Sequence, residues 1–406
     1  MKARHEYQIS KIIQKFLPDV EAIGGISGHQ RSILKLISLC KTSALGGHKE
    51  ECPNCQYDKI HYNSCGNRNC PSCQGVNKEK WIFDRQYDLL PVTYFHSVFT
   101  IPSQLYIYFR YNKKILYDLL IQSVKETLQK FGKEKRNGIG GKIGAILLLH
   151  TWTQQMGYHP HVHCIVPAGG LTSDGKWQQA KAKGQFLFSV EAMSVMFRGK
   201  LLSGIHQLYL NGKLKLPTQE LLKYKKTKNS LYSKEFVSYA KPAFGGPKQV
   251  LEYIGRYTHR ICISNHRIIK ITKTHVIFRY LDRTKKKSRT KKVTGQQFIK
   301  LFAEHILPKG FVKVRHIGFL SSRSKAKDLA AIRKSLDVKS PGPKVKMTTR
   351  EFMTMTTGKD PYLCPNCGEA ELIVTQIMPP IRGSPFKIFQ RPIPKDRIIK
   401  IKKPVA

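Results

Sequence analysis

The sequence predicts an α+β chain in which a helical, cysteine-rich N-terminal module precedes a larger part built on β-strands. Three observations carry this expectation. Apolar residues recur at helix spacing before residue 40, at Ile9, Ile12, Ile13 and Phe16 and again at Ile33, Leu34, Leu36 and Ile37. Six of the ten cysteines fall between Cys40 and Cys73. Finally, KIGAILLLHTWT (142–153) and PHVHCIVP (160–167) are two apolar runs joined by a loop around Gly157, a β-hairpin signal.

Taken in order, Pro18 and the Gly24-Gly25 pair are expected to interrupt the first helical run. Residues 76–90 read as a helix leading away from the cysteines. FHSVFT is a short strand stopped by Pro102, and a long helix follows over about 104–131, ended by the glycine-rich NGIGGK. After the hairpin, Gly169-Gly170 closes the second strand and Ser189 caps a helix over about 190–208. Residues 222–234 read as a basic, loop-rich segment before the strand-like FVSYAK. Gly245-Gly246-Pro247 opens another helix, with proline at the first helical position, where a missing N–H is harmless. HVIFRYL and RTKKKSRTKK form a basic hairpin, Thr294 and Gln297 a capping box for QQFIKLFAEHIL, and the last 30 or so residues an extended basic tail. The expected segments are therefore 1–39 (helical), 40–90 (cysteine module), 91–335 (main domain) and 336–406 (tail).

With 406 residues and 41% hydrophobic content, the chain can bury a sizeable core without disulfides. Its 71 Lys and Arg against 26 Asp and Glu give a formal net charge of +45, which implies a polyanionic partner. No stretch of about 18 apolar residues and no signal-peptide core are present, so nucleic acid fits better than membrane. Close cysteine pairs beside histidines in such a chain read as metal ligands in a reducing cytoplasm.

Cys52-x2-Cys55 and Cys70-x2-Cys73 have the spacing of two zinc knuckles that together would complete the shell of one tetrahedral ion. Cys40, His48, His61 and Cys65 bring the candidates to eight, the number that two four-coordinate Zn²⁺ ions would use; which four share an ion is open. Cys364 and Cys367 make half a zinc ribbon, and a metal there would need ligands such as His316 or another distant pair. On a strand, His161 and His163 point to one face while Val162, Cys164 and Val166 point to the other, so two imidazoles could hold one divalent ion. The hairpin as drawn sets His150 opposite His163, and either His150 or Gln154 could be a third ligand. Tyr253 and Tyr257, four residues apart, share a helix face about one turn apart. A phenol beside a metal-polarised phosphate can act as a nucleophile, and two phenols would serve two successive phosphoryl transfers. Taken alone, an HxH pair or two tyrosines would read as packing; the charge and the cysteines make them candidates. Neither GxxxxGK[ST] nor GxGxxG occurs, which argues against a nucleotide cofactor, and no Asp/Glu cluster suits a two-metal nuclease.

The segments CPNCQ, NSCGNRNCPSCQ, FHSVFTIP, LLLHTWTQQMGYHPHVHCIVPAGGL, YAKPAFGGPKQVLEYIGRYTHRICISNHRI and HILPKGFVKVRHIGFL together resemble the insertion-sequence-91 type of rolling-circle transposases. These are two-tyrosine members of the histidine-hydrophobe-histidine (HUH) endonuclease superfamily. The resemblance spans most of the chain. It implies a central antiparallel sheet flanked by helices, with the histidine strand central and the tyrosine helix packed over it. It further implies that His161 and His163 bind Mg²⁺ or Mn²⁺, that Tyr253 and Tyr257 are nucleophiles forming a 5′-phosphotyrosine link, and that the cysteines build a zinc-binding DNA-recognition domain. The implied partners are single-stranded DNA at transposon ends and target DNA in the bacterial cytoplasm, at the nucleoid. Thr153 departs from the glycine expected there in many members. The competing readings are a plasmid replication initiator or relaxase of the same superfamily, and a non-catalytic zinc-dependent DNA-binding protein; the cysteine module favours the transposase.

Overall fold

The computed structural model describes residues 8–181, 187–234, 236, 238–242, 249, 250, 255, 258, 260–282 and 284–381. The chain groups into two compact units, one from Met1–Lys80, His259–Ile306 and Lys344–Ala406, the other from Trp81–Thr258 and Leu307–Pro343.

In the first unit, α1 (Ile9–Ile23) and α2 (Gly28–Ser38) bear out the N-terminal helical reading, but Pro18 does not break α1. Ile9, Ile12, Ile13, Phe16, Leu17 and Val20, on both sides of the proline, are all buried. Their packing outweighs the roughly 3 kcal/mol that an interior proline costs. The helix ends instead at Gly24, whose φ of 81° favours a residue without Cβ. Ser27 and Gln30 form a capping box that starts α2. The unit also holds two three-stranded antiparallel sheets. The first has the order β13-β1-β2, from β1 (Gly47–Glu51), β2 (Asp58–Tyr62) and β13 (Ile373–Met378). The second pairs β10 (His275–Asp282) with β9 (Ile268–Ile271) and β11 (Lys287–Thr294). β10 and β11 are the expected basic hairpin, and the predicted capping box of Thr294 and Gln297 starts α8 (Gly295–Glu304). A side chain at Gly295 would strike the Phe16 ring at 2.2 Å, so this glycine lets α8 approach α1. The expected segment 336–406 contains α10 (Thr349–Thr357) and β13, and most of its last 30 residues, expected to be extended, lie outside the described residues.

The second unit is built on a seven-stranded sheet, β7-β6-β4-β5-β3-β8 with β12 also paired to β4. Its strands are β3 (Tyr94–Thr100), β4 (Lys142–Trp152), β5 (Tyr158–Pro167), β6 (Gly169–Leu171), β7 (Trp177–Gln179), β8 (Ser238–Pro242) and β12 (Val314–Gly318). The named pairings within this sheet are antiparallel. One face carries Leu147, Leu149, Val162, Cys164 and Val166, all fully buried with side chains of α5 (Lys113–Lys133) and α6 (Val190–Leu210). This is the mixed α+β architecture, a curled antiparallel sheet with flanking helices, that the sequence predicts. The segment 222–234 differs: Tyr224 and Leu231, seven residues apart, are both buried, and this repeat folds it into α7 (Thr218–Tyr232) despite its lysines. No helix among the described residues is long and apolar enough to cross a membrane.

Candidate active site and thiol centres

β5 alternates buried and half-buried residues from Tyr158 to His163, so Val162 enters the core while His161 and His163 emerge on the opposite face. His150 of β4 joins them, and one ring nitrogen from each of the three lies within 4.8 Å of the others. The hairpin register differs from the expected one: His150 pairs with His161 and Leu148 with His163. The loop is tighter than drawn because Thr153 accepts the Gly157 N–H on its Oγ1 at 3.0 Å and donates its own N–H to the Gly157 carbonyl at 2.9 Å. Thr153, the departure from the family's glycine, thus closes this turn. The shift is two residues, so the histidine faces are unchanged. Gln154 lies in the turn beyond β4, half-buried.

The ring orientations are fixed from behind. His161 Nδ1 lies 2.7 Å from the His159 carbonyl oxygen, so it carries the proton and donates, leaving Nε2 with its lone pair. That Nε2 is 3.1 Å from His163 Nε2. Two nitrogens each ~2.1 Å from a six-coordinate ion at right angles would sit roughly 3.0 Å apart, so the donor set fits a divalent cation. His163 Nδ1 is 2.8 Å from Nε2 of His96 on β3, and the Tyr239 hydroxyl of β8 lies 3.4 Å from His96 Nδ1. Burial pushes His96 down to about 4. Sequence reading assigned His96 no role; its place in FHSVFT, on the strand beside the HxH strand, was the available signal.

Tyr253 and Tyr257 lie outside the described residues. Their neighbours are described: Gln249, Val250, Gly255 and Thr258 are helical. Val250 is buried among Leu90, Tyr94, Ile146 and Ile165. Trp152 stacks on His150 with ring centroids 4.5 Å apart, and Lys313 Nζ sits 5.1 Å over Trp152 while donating to the Thr258 carbonyl at 3.2 Å. These contacts tie the residue after Tyr257 to the histidine trio.

In the first unit, the thiols fall into two groups, Cys40, Cys65, Cys70 and Cys73, and Cys52, Cys55, Cys364 and Cys367. The two expected knuckles therefore do not share one centre. Cys52 and Cys55 sit at the tip of the β1–β2 hairpin, whereas Cys65–Cys73 follow β2 at its other end, about 17 Å away for five-residue strands. Sγ separations of 3.5 Å (Cys40–Cys73) and 3.7 Å (Cys65–Cys73) exclude disulfides and approach the ~3.8 Å edge of a tetrahedral zinc–thiolate site. Hydrogen bonds from neighbouring thiols hold Cys73 down, while they push Cys70 and Cys65 up, because four thiolates cannot ionise side by side without a cation. The Asn366 amide holds Cys55 down to about 6. His48 and His61, expected as ligands, belong to neither group: directly paired across β1 and β2, they share Glu50, at 3.4 and 2.8 Å. Their register puts both imidazoles on the face of that buried carboxylate. His316, another expected candidate, lies on β12 in the second unit.

Comparison with known proteins shows the family. Residues 144–327 match the family described as "Putative transposase", and residues 12–101 match a "Transposase zinc-binding domain". A protein of Sinorhizobium fredii (strain NBRC 101917 / NGR234), "Putative transposase y4qJ", is 37% identical over 369 residues, 89% of this chain and 92% of that one. "Transposase for insertion sequence element IS801" of Pseudomonas savastanoi pv. phaseolicola is 26% identical over 393 residues, 93% of this chain and 91% of that one. No solved structure matches. These matches define the class: the protein is a transposase, a DNA-processing enzyme, with a zinc-binding domain. The chain belongs to the insertion-sequence-91 family of rolling-circle transposases.

Proposed function

We propose that this transposase nicks and rejoins single-stranded DNA at transposon ends through a 5′-phosphotyrosine link. The observation that carries the proposal is the convergence of His150, His161 and His163 on one point, with Thr258, next to Tyr257, tied to it through Lys313 and Trp152. A divalent ion bound there would polarise the non-bridging oxygens of the scissile phosphate. Imidazole suits transition metals better than Mg²⁺, which prefers oxygen, so Mn²⁺ is the better match of the two expected ions. His96 is a positioning residue: it accepts the Nδ1 proton of His163 and so aims that ring's Nε2 lone pair at the site. The phenol of Tyr253 or Tyr257 attacks the phosphorus in line, its proton passing to solvent, and the 3′-oxygen leaves as a free hydroxyl. The phosphodiester energy stays in the covalent link, so strand joining needs no nucleotide cofactor. Of the two thiol groups, Cys40, Cys65, Cys70 and Cys73 lie within the matched zinc-binding domain and hold its Zn²⁺.

The test uses oligonucleotides of a transposon end labelled at either terminus, incubated with Mn²⁺. The 3′-labelled strand should become attached to protein and the 5′-labelled strand should be released with a 3′-hydroxyl. Two protein-free fragments would mean hydrolysis and reject the proposal.

A further inference from the structure

Two tetrapeptides of this chain are identical, Cys52-Pro53-Asn54-Cys55 and Cys364-Pro365-Asn366-Cys367. They also adopt the same turn. Each is followed by a residue in the left-handed region, Gln56 at φ 55° and Gly368 at φ 73°. In each, the first cysteine donates its N–H to a carbonyl beyond the turn, Cys52 to Tyr57 at 2.8 Å and Cys364 to Ala370 at 2.9 Å. The turns face each other with Sγ atoms 3.7 Å (Cys52–Cys367) and 3.6 Å (Cys55–Cys364) apart, too far for a disulfide and near the edge of a zinc–thiolate tetrahedron. Asn366 donates its backbone N–H to Cys364 Sγ and its amide to Cys55 Sγ, both at 3.4 Å. Beyond the second turn, β13 pairs with β1, the strand that leads into the first, with Glu51 opposite Ile373.

We propose that Cys52, Cys55, Cys364 and Cys367 hold a structural zinc ion that clasps residues 364–378 onto the β1–β2 hairpin. The matched zinc-binding domain ends at residue 101, so its ribbon is completed by a segment outside it. Each CPNC supplies two ligands, and a closed structural site needs four. The hairpin therefore gains its metal only after a segment 309 residues further along has been made. A chain that stops before residue 364 would lack the clasp and leave β1 without its β13 partner. The proposal is independent of the nicking chemistry.

Zinc is counted per full-length chain by native mass spectrometry. In a His161→Ala/His163→Ala background, which keeps zinc out of the histidine trio, the chain should carry two ions, falling to one with Cys364→Ser/Cys367→Ser and to one with Cys40→Ser/Cys65→Ser. Cys367→His, which keeps four ligands, should retain two zincs, and its Co²⁺-substituted form should shift its visible band towards that of a three-sulfur, one-nitrogen site. One zinc in that background, or two after Cys364→Ser/Cys367→Ser is added to it, overturns the clasp.

Discussion

At the scale of single residues, the site is decided by which nitrogen of each imidazole carries a proton. The His159 carbonyl sets this for His161, and His96 is the acceptor that would set it for His163. His96→Ala removes that hydrogen bond, so Mn²⁺ affinity should fall roughly 10–100-fold in calorimetric titration, with metal-free DNA binding unchanged. His96→Gln, which can still present an acceptor, should recover part of the loss. The histidine pair on β5 was legible in the sequence because a strand has a period of two, and any register that keeps parity leaves His150 on their face. His96 was not legible, because its meaning depends on β3 lying beside β5, a pairing between residues about 65 apart that no local pattern encodes. His48 and His61 misled for the opposite reason. Sequence proximity to cysteines suggested ligation, while strand pairing aims them at Glu50.

At the scale of elements, the glycine in Tyr253-Ile254-Gly255-Arg256-Tyr257 has a packing reason. A Cβ at Gly255 would lie 2.2 Å from Ile82 of α3 (Gln74–Gln86). Gly255→Ala should therefore reduce nicking several-fold, and the compensating Ile82→Ala should restore most of it. Failure of the double variant to recover would remove this packing account. The β10–β11 hairpin exposes Lys285 and Lys287 at its turn and Lys292 on the opposite face from Lys287, charges suited to phosphates. Replacing all three by Ala should weaken single-strand binding similarly across sequences and flatten its log–log salt slope by about 2, at ~0.7 per lost phosphate contact. These elements were readable from the chain, the hairpin from its strand pattern and α8 from its capping box. Segment 222–234 was not, because Tyr224 and Leu231 are two apolar contacts in a lysine-rich background, and burial rather than composition makes the helix.

At the scale of the whole molecule, the α+β class, the zinc module and the histidine sheet could be read in advance, but not the return of the C-terminal segment to β1. That return is a contact across about 300 residues whose local trace is the repeated CPNC. Chelating zinc should strip hydrogen-exchange protection from β1, β2 and β13 while β3, β4 and β5 keep theirs, since the histidine sheet has its own apolar core. Equal loss in both sets would contradict this division. The central claim, that a tyrosine of this chain becomes joined to DNA beside the histidine trio, is tested most directly by mapping the covalent adduct. After reaction of the full-length protein with a transposon-end oligonucleotide and Mn²⁺, then proteolysis, mass spectrometry should find the nucleotide on Tyr253 or Tyr257. The adduct should be absent from Tyr253→Phe/Tyr257→Phe and from His161→Ala/His163→Ala. An adduct on any other residue, or none from a wild type that still binds the oligonucleotide, would contradict it.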